Sequence, residues 1–192
     1  ILKLTKKLFI MTISANSISN FTPVDFDPFA DGEILVTALA TESQKEIWAS
    51  VQMGDEANCA YNESQSLYLK GELDINSLKA ALQSLIDRHE ALRSTISPDG
   101  TNLCMADTLS LDLPCTDLSS FDRQQCEIEI EVAKFKKQAV NQPFDLEHGP
   151  LLRVQILKLQ PQEHLVILTA HHIICDGWSW AVLMTDLGKL YS

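Results

Sequence analysis

Residues 165–177 read LVILTAHHIICDG, and this apolar run with its polar end is the most informative part of the chain. A continuous apolar segment of this length, followed by a polar turn and a helical pattern, predicts a buried central strand whose carboxyl end opens into a cleft. Side chains alternate between the two faces of a strand, so His171 and His172 must point in opposite directions. We expect His171 to be structural and His172 to face the cleft.

Composition limits the class of protein. The chain has 192 residues, of which 45% are hydrophobic and 21% charged, as is typical of one globular domain or one large lobe. The net charge of −11 argues against nucleic-acid binding, which needs basic side chains to neutralise phosphates. No segment is long enough to span a membrane, and no export signal is evident. The five cysteines are scattered, without disulfide-like or metal-like spacing, so we expect a reducing, cytoplasmic location.

Hydrophobic periodicity predicts an alternation of helices and strands. Helical spacing indicates helices over residues 42–52, 75–89, 119–142 and 178–191, with caps at Thr41, Asp74 and Asp176. Strands are indicated over residues 63–73, 92–97, 103–107, 151–159 and 165–172. The turn at residues 98–100 predicts a hairpin, and we expect the last two strands to pair antiparallel. The pattern as a whole predicts an α/β fold, an α+β layered sandwich in which helices cover a mixed sheet.

The chain divides into an N-terminal extension or linker over residues 1–32 and a domain over residues 33–192. Residues 1–10 are weakly basic and apolar, and a segment rich in Ser, Asn, Asp and Pro then runs to about Gly32. The sequence ends at Ser192 directly after a helical pattern, without a glycine stop or polar tail. We therefore expect the chain to be cut from a longer polypeptide.

The His-His turn carries the chemistry. An imidazole titrates near neutral pH and can accept or donate a proton, which suits acyl transfer to an amine or hydroxyl. We predict that His172 is the catalytic imidazole. Asp176 is expected to cap the next helix, pair with an arginine and so hold the loop that aims the ring. Gly177 lets a backbone come close, and its N–H near the helix start is predicted to face a developing oxyanion.

Physical arguments disfavour two other interpretations of the residues at the turn. A metal site is disfavoured, because His171 and His172 face opposite ways and no third ligand lies at a usual spacing. Cys175 is disfavoured as a nucleophile, because neighbours this close on an extended chain diverge. A further interpretation stays open, namely that Asp176 caps the helix and has no other role. His89 lies on the apolar stripe of its helix, which favours a packed core histidine over a catalytic one.

Four separated blocks resemble the condensation domain of nonribosomal peptide synthetases. Residues 171–179 (HHIICDGWS) are similar to the family's HHxISDGWS, and residues 88–96 (RHEALRSTI) to its RHExLRTxF. Residues 144–153 (FDLEHGPLLR) are similar to FDLxxGPLLR, and residues 41–48 (TESQKEIW) match SxAQxRxW more loosely. Cys175 stands where the family usually has serine, and Glu46 stands where it has a basic residue. The order and spacing of the blocks agree over about residues 33–192.

The resemblance implies a two-lobed, chloramphenicol acetyltransferase-like fold, of which this chain matches the N-terminal lobe and lacks the C-terminal lobe. It implies amide-bond formation at His172 between a donor acyl or peptidyl thioester and the amine of an acceptor aminoacyl thioester. Donor and acceptor peptidyl carrier domains would bring both substrates on 4'-phosphopantetheine arms, next to an adenylation domain. No cofactor is expected to bind the chain directly. The partner of Asp176 is left open between Arg153 and Arg93.

Two other functions are compatible with the sequence. A stand-alone acyltransferase that uses acyl-CoA would share the histidine site. A non-catalytic docking lobe would usually show a damaged His motif, whereas the motif here is intact. We expect the 192-residue piece alone to make no product, because half of a cleft cannot orient both arms.

Overall fold

The computed structural model describes residues 34–119 and 125–192. In chain order the elements are β1 (Ile34–Leu39), α1 (Glu42–Val51), α2 (Asp55–Cys59), β2 (Asn62–Lys70), α3 (Ile75–Arg88), a 3-10 turn (Glu90–Arg93), β3 (Ser94–Ile96), β4 (Asn102–Ala106), β5 (Cys115–Asp117), α4 (Gln125–Asn141), β6 (Leu152–Gln160), β7 (Glu163–His171) and α5 (Gly177–Tyr191). The extension predicted over residues 1–32 lies outside the described residues.

A four-stranded mixed sheet forms the centre of the described structure. Its strand order is β2-β7-β6-β5, with β7 antiparallel to both of its neighbours and the short β5 parallel to β6. Every residue of β7 from His164 to His171 is buried. The predicted buried central strand and its antiparallel pairing with the strand before it are therefore confirmed.

Helices cover both faces of this sheet, which explains the continuous apolar character of β7. Val166, Leu168 and Ala170 on one face belong to the cluster that includes the apolar sides of α3 and α5. Leu165 and Ile167 on the other face pack with the apolar side of α4. Because both faces are buried, alternation with polar residues is lost, as expected for a central strand under two helical layers. The α/β layered fold class is confirmed.

A second sheet has three strands in the order β1-β4-β3. Strands β3 and β4 pair antiparallel, so the predicted hairpin is confirmed. In its turn Gly100 has φ of 71°, and a Cβ there would clash with the ring of Trp48 on α1. Glycine is therefore required at position 100 for two reasons: the backbone is left-handed there, and the indole leaves no room for a side chain.

Three elements were not predicted, and several boundaries differ. Helix α2 has five residues and β5 has three, too few for a periodic signal, and β1 is defined by its pairing with the distant β4. Residues 92 and 93, expected in a strand, lie in the 3-10 turn. The predicted helix over 119–142 is described from Gln125, and residues 120–124 lie outside the described part.

The helix caps follow the prediction. Thr41 caps α1, Asp74 caps α3 through the amides of Asn76 and Ser77, and Asp176 caps α5. His89 differs from the expectation of an apolar packed histidine, because it leaves α3 with extended backbone angles. Its Nε2 lies 3.2 Å from Oδ2 of Asp186 on α5. The residue is partly buried, but its contact is polar.

Candidate active site

The two adjacent histidines lie at the carboxyl end of β7. His171 is its last residue and is fully buried, whereas the side chain of His172, directly after the strand, is 39% exposed. The amide of His172 still donates to the carbonyl of Tyr61, at 2.8 Å, which keeps the backbone beside β2. The strand alternation predicted for this pair is therefore present, with His171 inside and His172 at the rim.

Hydrogen bonding defines the tautomer of His172. Its Nδ1 lies 2.9 Å from the carbonyl oxygen of Cys175. A carbonyl oxygen only accepts, so Nδ1 must carry the proton and the neutral ring keeps its lone pair on Nε2. The Oε1 atom of Glu63 lies 3.6 Å from Nε2. The bond at Nδ1 thus holds the ring, and in the neutral ring Nε2 is the nitrogen without a proton.

The loop that holds the ring is tied to α1. The amides of Ile173 and Ile174 donate to Nδ1 and to the carbonyl oxygen of His171, and the carbonyl oxygen of Ile173 accepts from Nε2 of Gln44 at 3.0 Å. Gln44 also completes the capping box with Thr41. No role was predicted for Gln44 from the sequence. Its position in the block over residues 41–48 was the available signal.

Asp176 is a helix cap, and neither predicted arginine pairs with it. Its Oδ1 accepts from the amide and the hydroxyl of Ser179, both at 2.7 Å. These hydrogen bonds hold the pKa of Asp176 below its ordinary value. Within the described residues, no side chain of Arg93 or Arg153 lies within ion-pair distance of this carboxylate. The expected ion pair is therefore wrong for both candidates.

Each arginine instead binds carbonyl groups at the end of a helix. Arg93 is buried and donates to the carbonyl oxygens of Ile86, Asp87 and Ala106, of which the first two belong to the last turn of α3. Arg153 donates to the carbonyl oxygens of Ala139, Gln142 and Pro143 at the end of α4. The last carbonyls of a helix lack intrahelical partners and carry partial negative charge, which a guanidinium satisfies well. Sequence spacing could not reveal this, because the acceptors are backbone atoms.

An aromatic contact connects Arg153 to the inner histidine. The guanidinium stacks 3.6 Å from the ring centroid of Phe144, and Phe144 meets the ring of His171 edge to face at 6.1 Å. Asn58 fixes Phe144 by donating to its carbonyl oxygen and accepting from its amide. Arg153 is therefore connected to the buried His171 through Phe144, and not to Asp176.

Burial controls the charge of His171. It lowers the pKa of His171 to about 4 and so favours the neutral ring at physiological pH. The ring accepts the amide N–H of Ile173 at Nδ1, which also requires an unprotonated nitrogen there. His171 is thus suited to packing beneath the site and not to exchanging protons.

Acid should destabilise the lobe through this histidine. The folded value of about 4 lies below the ordinary 6.5, so the unfolded state binds more protons between these pH values. Stability is present in full above pH 6.5 and falls toward pH 4, by about 3 kcal/mol in total. In urea unfolding from pH 7 to 4.5, His171→Asn should lose less stability than the wild type. Parallel losses in the two proteins would contradict the prediction.

Gly177 and Cys175 flank Asp176 and differ in accessibility. Gly177 is exposed at the first position of α5, and a Cβ there would meet no heavy atom of the described chain within 4 Å. Its N–H belongs to a helical turn whose amides lack intrahelical partners. Cys175 is buried, which raises the pKa of its thiol to about 12. A thiol that does not ionise is a poor nucleophile, in line with the earlier argument against Cys175.

The described residues contain neither a metal-binding cluster nor a membrane-spanning helix. No group of three or more His, Cys, Asp or Glu side chains in residues 34–119 and 125–192 is arranged to hold a metal ion. In the same part of the chain, no helix combines the length and apolarity needed to cross a membrane.

The mixed sheet with helices on both faces has the chloramphenicol acetyltransferase-like fold, which solved condensation domains share. Residues 36–192 match the family model of the condensation domain, and the chain belongs to this family. It is 38% identical over 153 residues to chondramide synthase of Chondromyces crocatus and 30% identical over 173 residues to surfactin synthase subunit 2 of Bacillus subtilis. These matches cover 79% and 86% of this chain and 4% of each relative.

Solved structures agree with this assignment. The starter condensation domain of rhizomide synthetase superposes with a TM-score of 0.71 at 25% identity, over 81% of this chain and 39% of that one. A four-domain nonribosomal peptide synthetase gives a TM-score of 0.70 at 20% identity, over 92% of this chain and 12% of that one, which supports the fold. The chain thus spans 4% of each of the two curated relatives, and 39% and 12% of the two solved chains.

Proposed function

We propose that residues 33–192 are the N-terminal lobe of a two-lobed condensation domain in a nonribosomal peptide synthetase. The domain joins a donor acyl or peptidyl thioester to the amine of an acceptor aminoacyl thioester. The observation that carries this proposal is the geometry of His172, whose Nδ1 bonds the Cys175 carbonyl, so that the lone pair of the neutral ring lies on Nε2 at the rim of the sheet. Amide formation from an amine releases a proton, which a base at this rim can accept.

The proposed reaction forms one N–C bond, breaks one C–S bond and moves one proton through His172. The acceptor amine, with an unperturbed pKa of about 7.7–8.0, is partly neutral near pH 7 and attacks the donor carbonyl. The N–C bond forms, and Nε2 of His172 takes the proton that the tetrahedral adduct must lose. The C–S bond then breaks, and the proton passes to the departing thiolate, so that the products are an amide and a free thiol.

Positioning contributes more to this reaction than base strength. General acid or base catalysis by His172 supplies about 10²–10⁴-fold, whereas orienting two tethered substrates supplies roughly 7–11 kcal/mol. The first figure corresponds to about 3–5 kcal/mol. This comparison supports a domain that receives both substrates on 4'-phosphopantetheine arms of donor and acceptor carrier domains. We further propose an adjacent adenylation domain and a second lobe that closes the cleft.

The remaining residues of the site have supporting roles in this proposal. Gly177 leaves open space for a substrate and offers its first-turn N–H to the developing oxyanion. Asp176 orders the start of α5 and hence the loop that carries His172. His171 packs beneath the site, and Arg153 and Arg93 hold the ends of α4 and α3.

Product formation with defined substrates tests the function. A complete two-lobed domain that contains residues 33–192 should form an amide from a donor and an acceptor that are both loaded on carrier domains. The same domain should turn over free acyl-CoA thioesters much more slowly. Efficient turnover of acyl-CoA without carriers would favour a stand-alone acyltransferase, and no product from any thioester would favour a docking lobe. The 192-residue chain alone should give no product.

A further inference from the structure

Glu63 lies at the exposed nitrogen of the candidate catalytic histidine. It is the second residue of β2 and pairs with Ala170 of β7, which brings it level with the end of that strand. Its side chain is 33% exposed, and its Oε1 lies 3.6 Å from Nε2 of His172. Within the described residues, His172 is the one basic side chain within ion-pair distance of this carboxylate.

We propose that Glu63 is a positioning residue that acts through His172. This inference rests on the proposed function. When Nε2 takes the proton of the tetrahedral adduct, the ring becomes a cation with the Cys175 carbonyl at Nδ1 and the Glu63 carboxylate beside Nε2. The carboxylate stabilises that cation until the proton passes to the departing thiolate. A base oriented and stabilised by a third group is a common arrangement in acyl-transfer enzymes.

The surroundings of His172 make Glu63 the suitable group for this role. Asp176 at the start of α5 is the other nearby carboxylate, but its Oδ1 is occupied by two hydrogen bonds from Ser179. His171 at the end of β7 is held neutral by burial. Gln44 on α1 is uncharged and binds the Ile173 carbonyl. The carboxylate of Glu63 makes no hydrogen bond to the described residues that would hold it away from the ring.

A charge-removing substitution tests the role. In a two-lobed domain that contains this lobe, with carrier-loaded substrates, Glu63→Gln should lower kcat roughly 10-fold. This is the change expected if loss of the carboxylate weakens proton binding at Nε2 of His172 about tenfold. The KM for the acceptor carrier should not change. Glu63→Asp should recover part of the rate. Glu72→Gln is the matched control, because Glu72 is an exposed carboxylate beyond the end of β2.

The pH profile separates this role from a structural one. Without the counter-charge the protonated ring is less stable, so the acid limb of the rate profile should move to lower pH in Glu63→Gln. A uniform fall in rate without movement of the limb would overturn the inference. So would an increase in KM with kcat unchanged, which would make Glu63 a substrate-binding group. If the wild-type domain forms no product, the proposed function fails instead.

Discussion

Replacement of His172 by alanine is expected to lower the rate of amide formation by about 10²–10⁴-fold in a two-lobed domain that contains this lobe. The substitution removes Nε2, the unprotonated nitrogen at the rim of the sheet. The fold should persist, because the partly exposed ring makes one hydrogen bond, worth about 0.5–1.5 kcal/mol. Single-turnover assays with loaded carriers measure the rate, and urea unfolding checks the fold.

A second substitution distinguishes the role of Nδ1 of His172 from that of Nε2. Asparagine places an amide donor near the position of Nδ1, so His172→Asn keeps a donor for the Cys175 carbonyl but has no base. It should be as inactive as His172→Ala while preserving the loop. His148→Ala, at an exposed histidine outside the site, is the control and should keep the wild-type rate. A wild-type rate in His172→Asn would refute the assignment of Nε2 as the proton acceptor.

Replacement of Arg93 by alanine should cause the largest loss of stability among the substitutions considered, about 3–5 kcal/mol. Arg93 is buried and donates to three carbonyl oxygens, at 2.7, 2.7 and 3.0 Å. Hydrogen bonds from charged groups contribute about 1.5–3 kcal/mol each, and their loss leaves buried acceptors without partners. Urea unfolding at pH 7 measures the difference in free energy of unfolding.

Arg88, five positions before Arg93 in the chain and of the same charge, provides a control. It is half exposed and lies 3.4 Å from Asp186, so Arg88→Ala should cost less than about 1 kcal/mol. Arg93→Met tests the origin of the loss further, because it keeps an apolar stem but supplies no donor. Equal effects of Arg93→Ala and Arg88→Ala would contradict the view that Arg93 stabilises the end of α3 through buried carbonyls.

Much of the fold followed from local patterns. The apolar run before His171 identified the central strand, and helical spacing together with Asp74 and Asp176 located two helices and their N-caps. Short elements such as α2 and β5 were missed, because five or three residues do not establish a period. Strand β1 was missed because its pairing partner is far away in sequence.

The candidate site was only partly predictable. Strand alternation correctly separated the buried His171 from the accessible His172. The expectation that Arg93 or Arg153 pairs with Asp176 was wrong, because both guanidinium groups satisfy helix-end carbonyls, which no side-chain pattern encodes. Gln44, whose bond to Ile173 spans 129 positions, and Glu63 received no role before the strands were assembled.

The sequence by itself determined the identity and order of the main elements, the caps of the helices and the histidine that reaches the rim. These depend on interactions between residues a few positions apart, and such interactions appear in the sequence as the regular spacing of apolar residues in strands and helices. Tertiary structure alone decided the tautomer of His172, the carboxylate beside its Nε2 and the partners of the two arginines. Each of these depends on a backbone carbonyl or a side chain brought close by the packing of separate elements, and hydrogen bonds of this kind have no sequence period.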